Sequence, residues 1–116
     1  MSIERLHPGP RMSQAVKHGN TLYLAGQVAN DEFATIEEQT AQVLAKIDAL
    51  LSEAGSSKSK VLSAQVLLTN IVDFSAMNSV YDKWVDPANP PARACYEARL
   101  ASPNLRVEII AVAALD

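Results

Sequence analysis

Residues 107–114 read Val-Glu-Ile-Ile-Ala-Val-Ala-Ala, an apolar stretch interrupted by a single acid, Glu108. The β-branched residues favour a strand, and successive side chains of a strand point to opposite faces of its sheet. Apart from the acid, both faces of this strand are apolar, so both faces need cover. The stretch therefore predicts a strand within a sheet that is covered on two sides.

Two helices are predicted upstream of this strand. The first spans residues 36–54, where apolar residues recur at helical spacing. Thr35 and Glu38 have the spacing of a capping box, and Gly55 is a favourable C-terminal stop. The second helix follows Asp73, which we expect to cap it. Its apolar stripe consists of Phe74, Met77, Val80, Tyr81 and Trp84.

Strands are predicted before, between and after the helices. They are residues 14–18 and 21–28 around a Gly19-Asn20 turn, then 60–69, 92–100 and 105–114. The order β-β-α-β-α-β-β over residues 1–116 indicates one α+β domain, with two helices on one face of a mixed sheet. Since two helices cover only one face, we expect the other face to pack against further subunits or around a shared cavity.

Composition excludes several classes of function. The net charge is −3 and the basic residues are scattered, which argues against nucleic acid as the main partner. No apolar stretch approaches the ~20 residues that span a bilayer. The single cysteine and an N-terminus without an apolar signal core favour a reducing, cytoplasmic location. One cysteine and two distant histidines are poor material for a metal site, so none is expected.

Arg93 opens the strand that follows a proline-rich loop. In a strand it shares a face with Cys95, because side chains repeat with period two. A guanidinium can bind a carboxylate through two parallel hydrogen bonds, so Arg93 is a candidate residue for binding the carboxylate of a ligand. The alternative is an exposed arginine paired with a surface acid.

Glu108 is the second candidate. A carboxylate in an apolar strand is costly to bury without a partner, so it should lie in a cleft, at an interface or beside a cation. Partial desolvation suits a carboxylate to proton transfer or to holding a water molecule. The alternative is a structural ion pair with Arg93, Arg99 or Arg106.

Three other residues have two interpretations each. Cys95 lacks a neighbouring base and is better explained as a small buried residue, or one that lines a pocket, than as a nucleophile. Asn78, on the second helix, contacts a pocket or faces solvent. Gly26 allows a ligand to approach the strand closely or marks a bulge.

Several short motifs agree in order and spacing with one known family. They are Pro91-Ala92-Arg93-Ala94-Cys95, Arg99-Leu100, Val107-Glu108-Ile109, Ser13-Gln14-Ala15-Val16, Gly26-Gln27-Val28, Glu53-Ala54-Gly55, Asp73-Phe74 and Met77-Asn78-Ser79-Val80-Tyr81. Over nearly its whole length the chain resembles the RidA/YjgF family, reactive-intermediate deaminases that hydrolyse enamines and imines of amino acids. The resemblance implies a chorismate-mutase-like fold and a homotrimer whose ligand sites lie between neighbouring subunits.

The resemblance also implies roles for individual residues. Arg93 matches the family's carboxylate-binding arginine, and Glu108 matches its water-holding glutamate. Cys95, Asn78 and Gly26 match pocket residues.

Two pocket positions depart from the family pattern. Met12 stands where the family has tyrosine, and Ala25 where it commonly has serine. These differences affect the expected substrate and the efficiency of deamination. Arg11 is a possible second cation that would favour a more acidic ligand.

The function implied is hydrolysis of 2-aminoacrylate, 2-iminopropanoate or a related 2-imino acid to a 2-keto acid and ammonia, without a cofactor. The two departures motivate an alternative, a non-catalytic binder of small carboxylates that acts as a sensor or regulator. A nuclease or translation inhibitor, names the family has also carried, is disfavoured by the acidic composition.

Overall fold

The fold is a twisted sheet with two helices on one side, and the computed structural model describes residues 1–116, the whole chain. The strands are β1 (Ile3–Leu6), β2 (Ala15–His18), β3 (Thr21–Leu24), β4 (Gln27–Val28), β5 (Val61–Leu68), β6 (Ala92–Glu97) and β7 (Val107–Ala114), and the helices are α1 (Ile36–Glu53) and α2 (Phe74–Trp84). Short 3₁₀ turns at Lys58–Lys60 and Ile71–Asp73 precede β5 and α2.

The last strand of the chain lies at the centre of the sheet. The strand order is β1-β2-β3-β7-β5-β6, and the two-residue β4 also pairs with β7. β5 and β6 are parallel, whereas all other pairs are antiparallel. The parallel pair needs a crossover connection, which contains α2. The predicted mixed sheet with two helices is therefore confirmed.

Burial alternates along β7. Val107, Ile109, Ala111 and Ala113 are buried, whereas Glu108, Ile110, Val112 and Ala114 are partly exposed. The buried set joins α1, α2 and the other strands in a core of 21 residues. Since α1 packs on both β7 and α2, the helices lie together on one face. In the single chain, no helix covers the other face.

The first helix forms where its sequence signals predict it. The Thr35 hydroxyl accepts a hydrogen bond from the Glu38 amide at 3.1 Å, which caps the N-terminus. Gly55 has a φ of 84° after the helix, a left-handed conformation that favours glycine. The helix ends at Glu53, one residue earlier than predicted.

The strand predictions need three kinds of correction. β1 was missed because three of its four residues are exposed and give no apolar signal. The predicted strand 21–28 breaks at Ala25-Gly26 into β3 and β4. The other strands are shorter than predicted. Residues 98–106 connect β6 to β7 outside any strand, and Lys60 belongs to a 3₁₀ turn.

Asp73 does not cap α2 with its side chain. Its buried carboxylate instead accepts two hydrogen bonds from Nη2 of Arg106, at 2.9 and 3.0 Å. This pair ties the beginning of α2 to the residue that precedes β7.

Neither helix combines the length and apolarity needed to cross a bilayer.

We predict that Asp73→Asn lowers the free energy of unfolding by about 1 kcal/mol, because it removes the charge that Arg106 contacts. A capping role would predict almost no change, since Asn caps helices as well as Asp. Urea denaturation should be measured for Asp73→Asn alone and in an Arg106→Ala background, at one protein concentration. An equal loss in both backgrounds would contradict the ion-pair role.

Candidate functional site

Arg93 lies on the edge strand β6, on the face of the sheet that carries the helices. It pairs in register with Ala64, which is buried in the core. Its Nη1 donates a hydrogen bond of 2.8 Å to Oδ1 of Asn78 on α2. The predicted residues Arg93 and Asn78 are thus in direct contact, and Asn78 faces the arginine.

Two aromatic rings of α2 also contact this guanidinium. The Arg93 Cζ lies 4.6 Å from the ring centroid of Tyr81 and 5.9 Å from that of Phe74. Sequence analysis assigned both rings to an apolar packing stripe and missed this contact. The signal was available, because Phe74, Asn78 and Tyr81 are spaced i, i+4 and i+7 and so share one helix face.

The positive charge of Arg93 has no acidic partner in the chain. The ion pairs are His7–Glu53, Lys17–Glu4 and Arg106–Asp73. Within the chain, Arg93 is therefore not paired with a surface acid. Arg93 is exposed, and a guanidinium has five N–H groups, so donors remain for an anionic ligand.

Cys95 follows Arg93 on the same face, as period two predicts. Partial burial raises the pKa of its thiol, and the nearby charge of Arg93 opposes that rise only in part. The thiol is therefore protonated at neutral pH, which disfavours a thiolate nucleophile. The side chain packs against the hydrophobic core.

Glu108 lies on the opposite face of the sheet, next to Gly26. Its carboxylate forms no hydrogen bond or ion pair within the chain, and Arg106, one of its three candidate partners, is bound to Asp73. Within the chain, Glu108 therefore forms no ion pair with Arg93, Arg99 or Arg106. A Cβ on Gly26 would lie 2.8 Å from Cδ of Glu108. Glycine is needed here because the glutamate side chain crosses its backbone.

Ala25 precedes Gly26 at the break between β3 and β4, beside this second location. The Ala25 amide donates to the Gln14 carbonyl at 2.9 Å, which holds the β3–β4 break against the end of the β1–β2 loop. Met12 lies in that loop, and its side chain is half exposed. The methyl group of Ala25 supplies no proton donor or acceptor beside Glu108.

Six of the seven predicted residues form two groups, and Met12 belongs to neither. The arginine group consists of Arg93, Asn78 and Cys95, and the glutamate group consists of Glu108, Gly26 and Ala25. The groups lie on opposite faces, and β5 separates their strands. This offset is roughly 10 Å across the sheet, given the spacing of neighbouring strands. A single chain therefore does not bring Arg93 and Glu108 together.

The main surface cavities lie elsewhere. All five are lined by residues outside both groups. No cluster of three or more His, Cys, Asp or Glu side chains is arranged to hold a metal ion. Neither the arginine nor the glutamate of the predicted site therefore lines one of these five cavities.

We predict that Gly26→Ala displaces the Glu108 carboxylate while the protein still folds, because the new methyl group meets the flexible end of a side chain. The free energy of unfolding should change by no more than about 1 kcal/mol. A crystal structure of the variant would show the displacement, and Gly26→Ala with Glu108→Ala serves as the control that removes the clash. A carboxylate in its original place would contradict the prediction.

Comparison with known proteins gives consistent matches along the chain. The family model described as Endoribonuclease L-PSP matches residues 2–115. A RutC family protein of Haemophilus influenzae is 44% identical over 117 residues, covering 97% of this chain and 98% of that protein. The RutC family protein YoaB of Escherichia coli K12 is 44% identical, covering 99% of this chain and all of YoaB.

Solved structures agree with this assignment. A member of the YjgF protein family from Neisseria meningitidis superimposes with a TM-score of 0.97 at 45% identity, covering all of this chain and 97% of that one. An uncharacterised protein from Pseudomonas aeruginosa gives a TM-score of 0.96 at 43% identity, covering 99% of this chain and all of that one. The chain therefore belongs to the RidA/YjgF family, in which the RutC proteins are its relatives.

Proposed function

We propose that this protein hydrolyses reactive enamines and imines of amino acids, such as 2-aminoacrylate and its tautomer 2-iminopropanoate, to 2-keto acids and ammonia. The observation that carries the proposal is that Arg93 and Glu108, one cation and one anion, each lack a counter-charge within the chain. Family membership supports the same chemistry.

Arg93 is the residue proposed to bind the substrate carboxylate. Its guanidinium is already oriented by Asn78 and two aromatic rings, none of which neutralises its charge. A hydrogen bond that involves a charged group contributes about 1.5–3 kcal/mol. Two parallel bonds to a carboxylate would also fix the orientation of the imine carbon.

Glu108 is the proposed base and proton carrier. Its carboxylate accepts a proton from a water molecule as the water oxygen bonds to the imine carbon. That proton passes to the nitrogen and gives a carbinolamine. Glu108 then takes the hydroxyl proton and delivers it to the nitrogen, the carbon–nitrogen bond breaks, and ammonia leaves as the carbonyl forms. Proton transfer of this kind contributes roughly 10²–10⁴-fold in rate. No cofactor is required, because every atom comes from the substrate and water.

The proposed site needs two chains, and we propose a homotrimer with sites between subunits. Arg93 and Glu108 lie on opposite faces of one sheet, too far apart for a small imino acid to touch both. The arginine group of one subunit would face the glutamate group of its neighbour. The uncovered sheet face carries partly exposed apolar side chains, including Tyr23 and Tyr96, which fits association with another copy.

A non-catalytic carboxylate binder is the second candidate. Met12 and Ala25 favour it, since both lack the hydroxyl group of the tyrosine and serine that the family has at these positions. Such a protein would bind keto acids through Arg93 without accelerating imine hydrolysis. Carboxylate-dependent thermal stabilisation without turnover would identify it.

The family model's name, endoribonuclease, raises a further activity. The net charge of −3 and the scattered basic residues disfavour it in this chain. RNA binding that weakens steeply with salt would support it. A salt titration with a labelled single-stranded RNA belongs beside the deaminase assay.

We predict that Arg93→Ala reduces kcat/KM for 2-aminoacrylate at least tenfold, because the carboxylate loses its charge-assisted contacts. Arg93→Lys should recover only part of the loss, since an ammonium group does not form the two parallel hydrogen bonds that a guanidinium forms with a carboxylate. The assay couples the protein to a lyase that releases 2-aminoacrylate from serine and follows the keto acid.

The matched control is Arg5→Ala, which removes another exposed arginine of the chain, on the edge strand β1. It should keep wild-type activity. Keto-acid release by Arg93→Ala at the wild-type rate would overturn the proposed mechanism. Activity lost equally in Arg5→Ala would indicate a general effect of net charge.

We predict that two inactive variants, Arg93→Ala and Glu108→Gln, regain activity when they are mixed, unfolded and refolded together. A mixed trimer contains one interface where an intact Arg93 of one chain meets an intact Glu108 of the next. Random mixing at equal amounts should restore up to about a quarter of wild-type activity. Each variant refolded alone is the control.

No restored activity in verified mixed trimers would overturn the proposed site between subunits. Native mass spectrometry with one chain tagged would verify the mixing. The oligomeric state is measured in the same experiment.

A further inference from the structure

We infer that Tyr81 is a positioning residue for the proposed site, which fixes the plane of the Arg93 guanidinium so that it meets a carboxylate edge-on. This inference rests on the proposed function, because it assigns Arg93 a carboxylate ligand. Its basis is the 4.6 Å distance between Arg93 Cζ and the Tyr81 ring centroid.

Arg93 needs such support because of where it lies. It is exposed, and it extends from an edge strand that has a neighbour on one side only. A long side chain there has many rotamers, and ordering it on binding would weaken affinity. An acidic neighbour would order the guanidinium but would also occupy the donors that a ligand needs. A ring face attracts the cation and leaves the donors at its edge free.

Tyr81 is itself held firmly. Its side chain is 5% exposed and belongs to the core. Its ring packs against Trp84, with centroids 5.7 Å apart at an interplanar angle of 53°. The Trp84 indole N–H donates to Oδ1 of Asp48 on α1 at 3.0 Å. The ring beneath Arg93 is therefore anchored through both helices.

The other contacts of Arg93 have different roles. Asn78 accepts a hydrogen bond from Nη1 of Arg93, which fixes the direction of that N–H group. The plane of the guanidinium would still be free to rotate about this hydrogen bond. Phe74 is further away, at 5.9 Å, and its side chain is 41% exposed, so it restrains the guanidinium less. Burial raises the pKa of the Tyr81 hydroxyl, and the Arg93 guanidinium opposes this rise only in part, through its charge and its closeness to the hydroxyl, so the ring is neutral at neutral pH.

The test compares Tyr81→Phe, which keeps the ring, with Tyr81→Leu, which removes it. Binding of 2-oxobutanoate, a product-like carboxylate, is measured by calorimetry, and KM and kcat are measured in the coupled assay. We expect wild-type values for Tyr81→Phe. For Tyr81→Leu we expect the Kd and KM to rise about three- to thirtyfold with little change in kcat, because the ring acts before chemistry, through Arg93.

Leu51→Ala, a truncation in the same core on α1, is the control for lost stability. If Tyr81→Leu does not fold, Tyr81→Met fills the space with a flexible side chain that lacks a ring. In an Arg93→Ala background, removing the ring should change the Kd no further, because the cation it positions is absent.

Each outcome decides the inference. A folded ring-less variant with wild-type Kd, while Arg93→Ala binds weakly, overturns the role of Tyr81 and leaves the proposed function intact. Equal losses in Tyr81→Leu and Leu51→Ala also overturn it. Unchanged binding in Arg93→Ala overturns both the carboxylate clamp and the inference. Weakened binding without any turnover in the wild type supports the inference and overturns deamination.

Discussion

The central position of β7 is the constraint on which the rest of the structure depends. This strand pairs with β3, β4 and β5, so its register is fixed on both sides. Because side chains alternate, burying Val107 and Ile109 beneath the helices forces Glu108 onto the opposite face. A slip of one residue would exchange the two faces. The place of the one acid in this strand is therefore a consequence of core packing.

Arg93 and Glu108 both lack an ion-pair partner within the chain. Arg106 is bound to Asp73, and Arg93 is held by an amide and by ring faces that carry no net charge. Both Arg93 and Glu108 retain access to water, so neither carries the full cost of a buried ion. Arg93 and Glu108 can therefore each bind a ligand group of the opposite charge.

A glycine and a side-chain ion pair help to position Arg93 and Glu108. Gly26 leaves room for the Glu108 side chain, and this crossing coincides with the break between β3 and β4. The Asp73–Arg106 pair joins the beginning of α2 to the beginning of β7. The helix that orients Arg93 and the strand that carries Glu108 are thus linked by one ion pair, although the two charges lie on different faces.

The sequence by itself determined the elements and the local relations within them. The periodicity and caps of residues 36–54 predict α1 to within one residue, and period two places Arg93 and Cys95 on one face. These signals are local, since neighbours along the chain set them. The short and exposed β1 gave no such signal and was missed. Only the tertiary structure decided that Arg93 and Glu108 lie on opposite faces and that Tyr81 lies beneath the guanidinium. Those facts depend on strand order and on the register between β5, β6 and β7, which are contacts between residues distant in sequence.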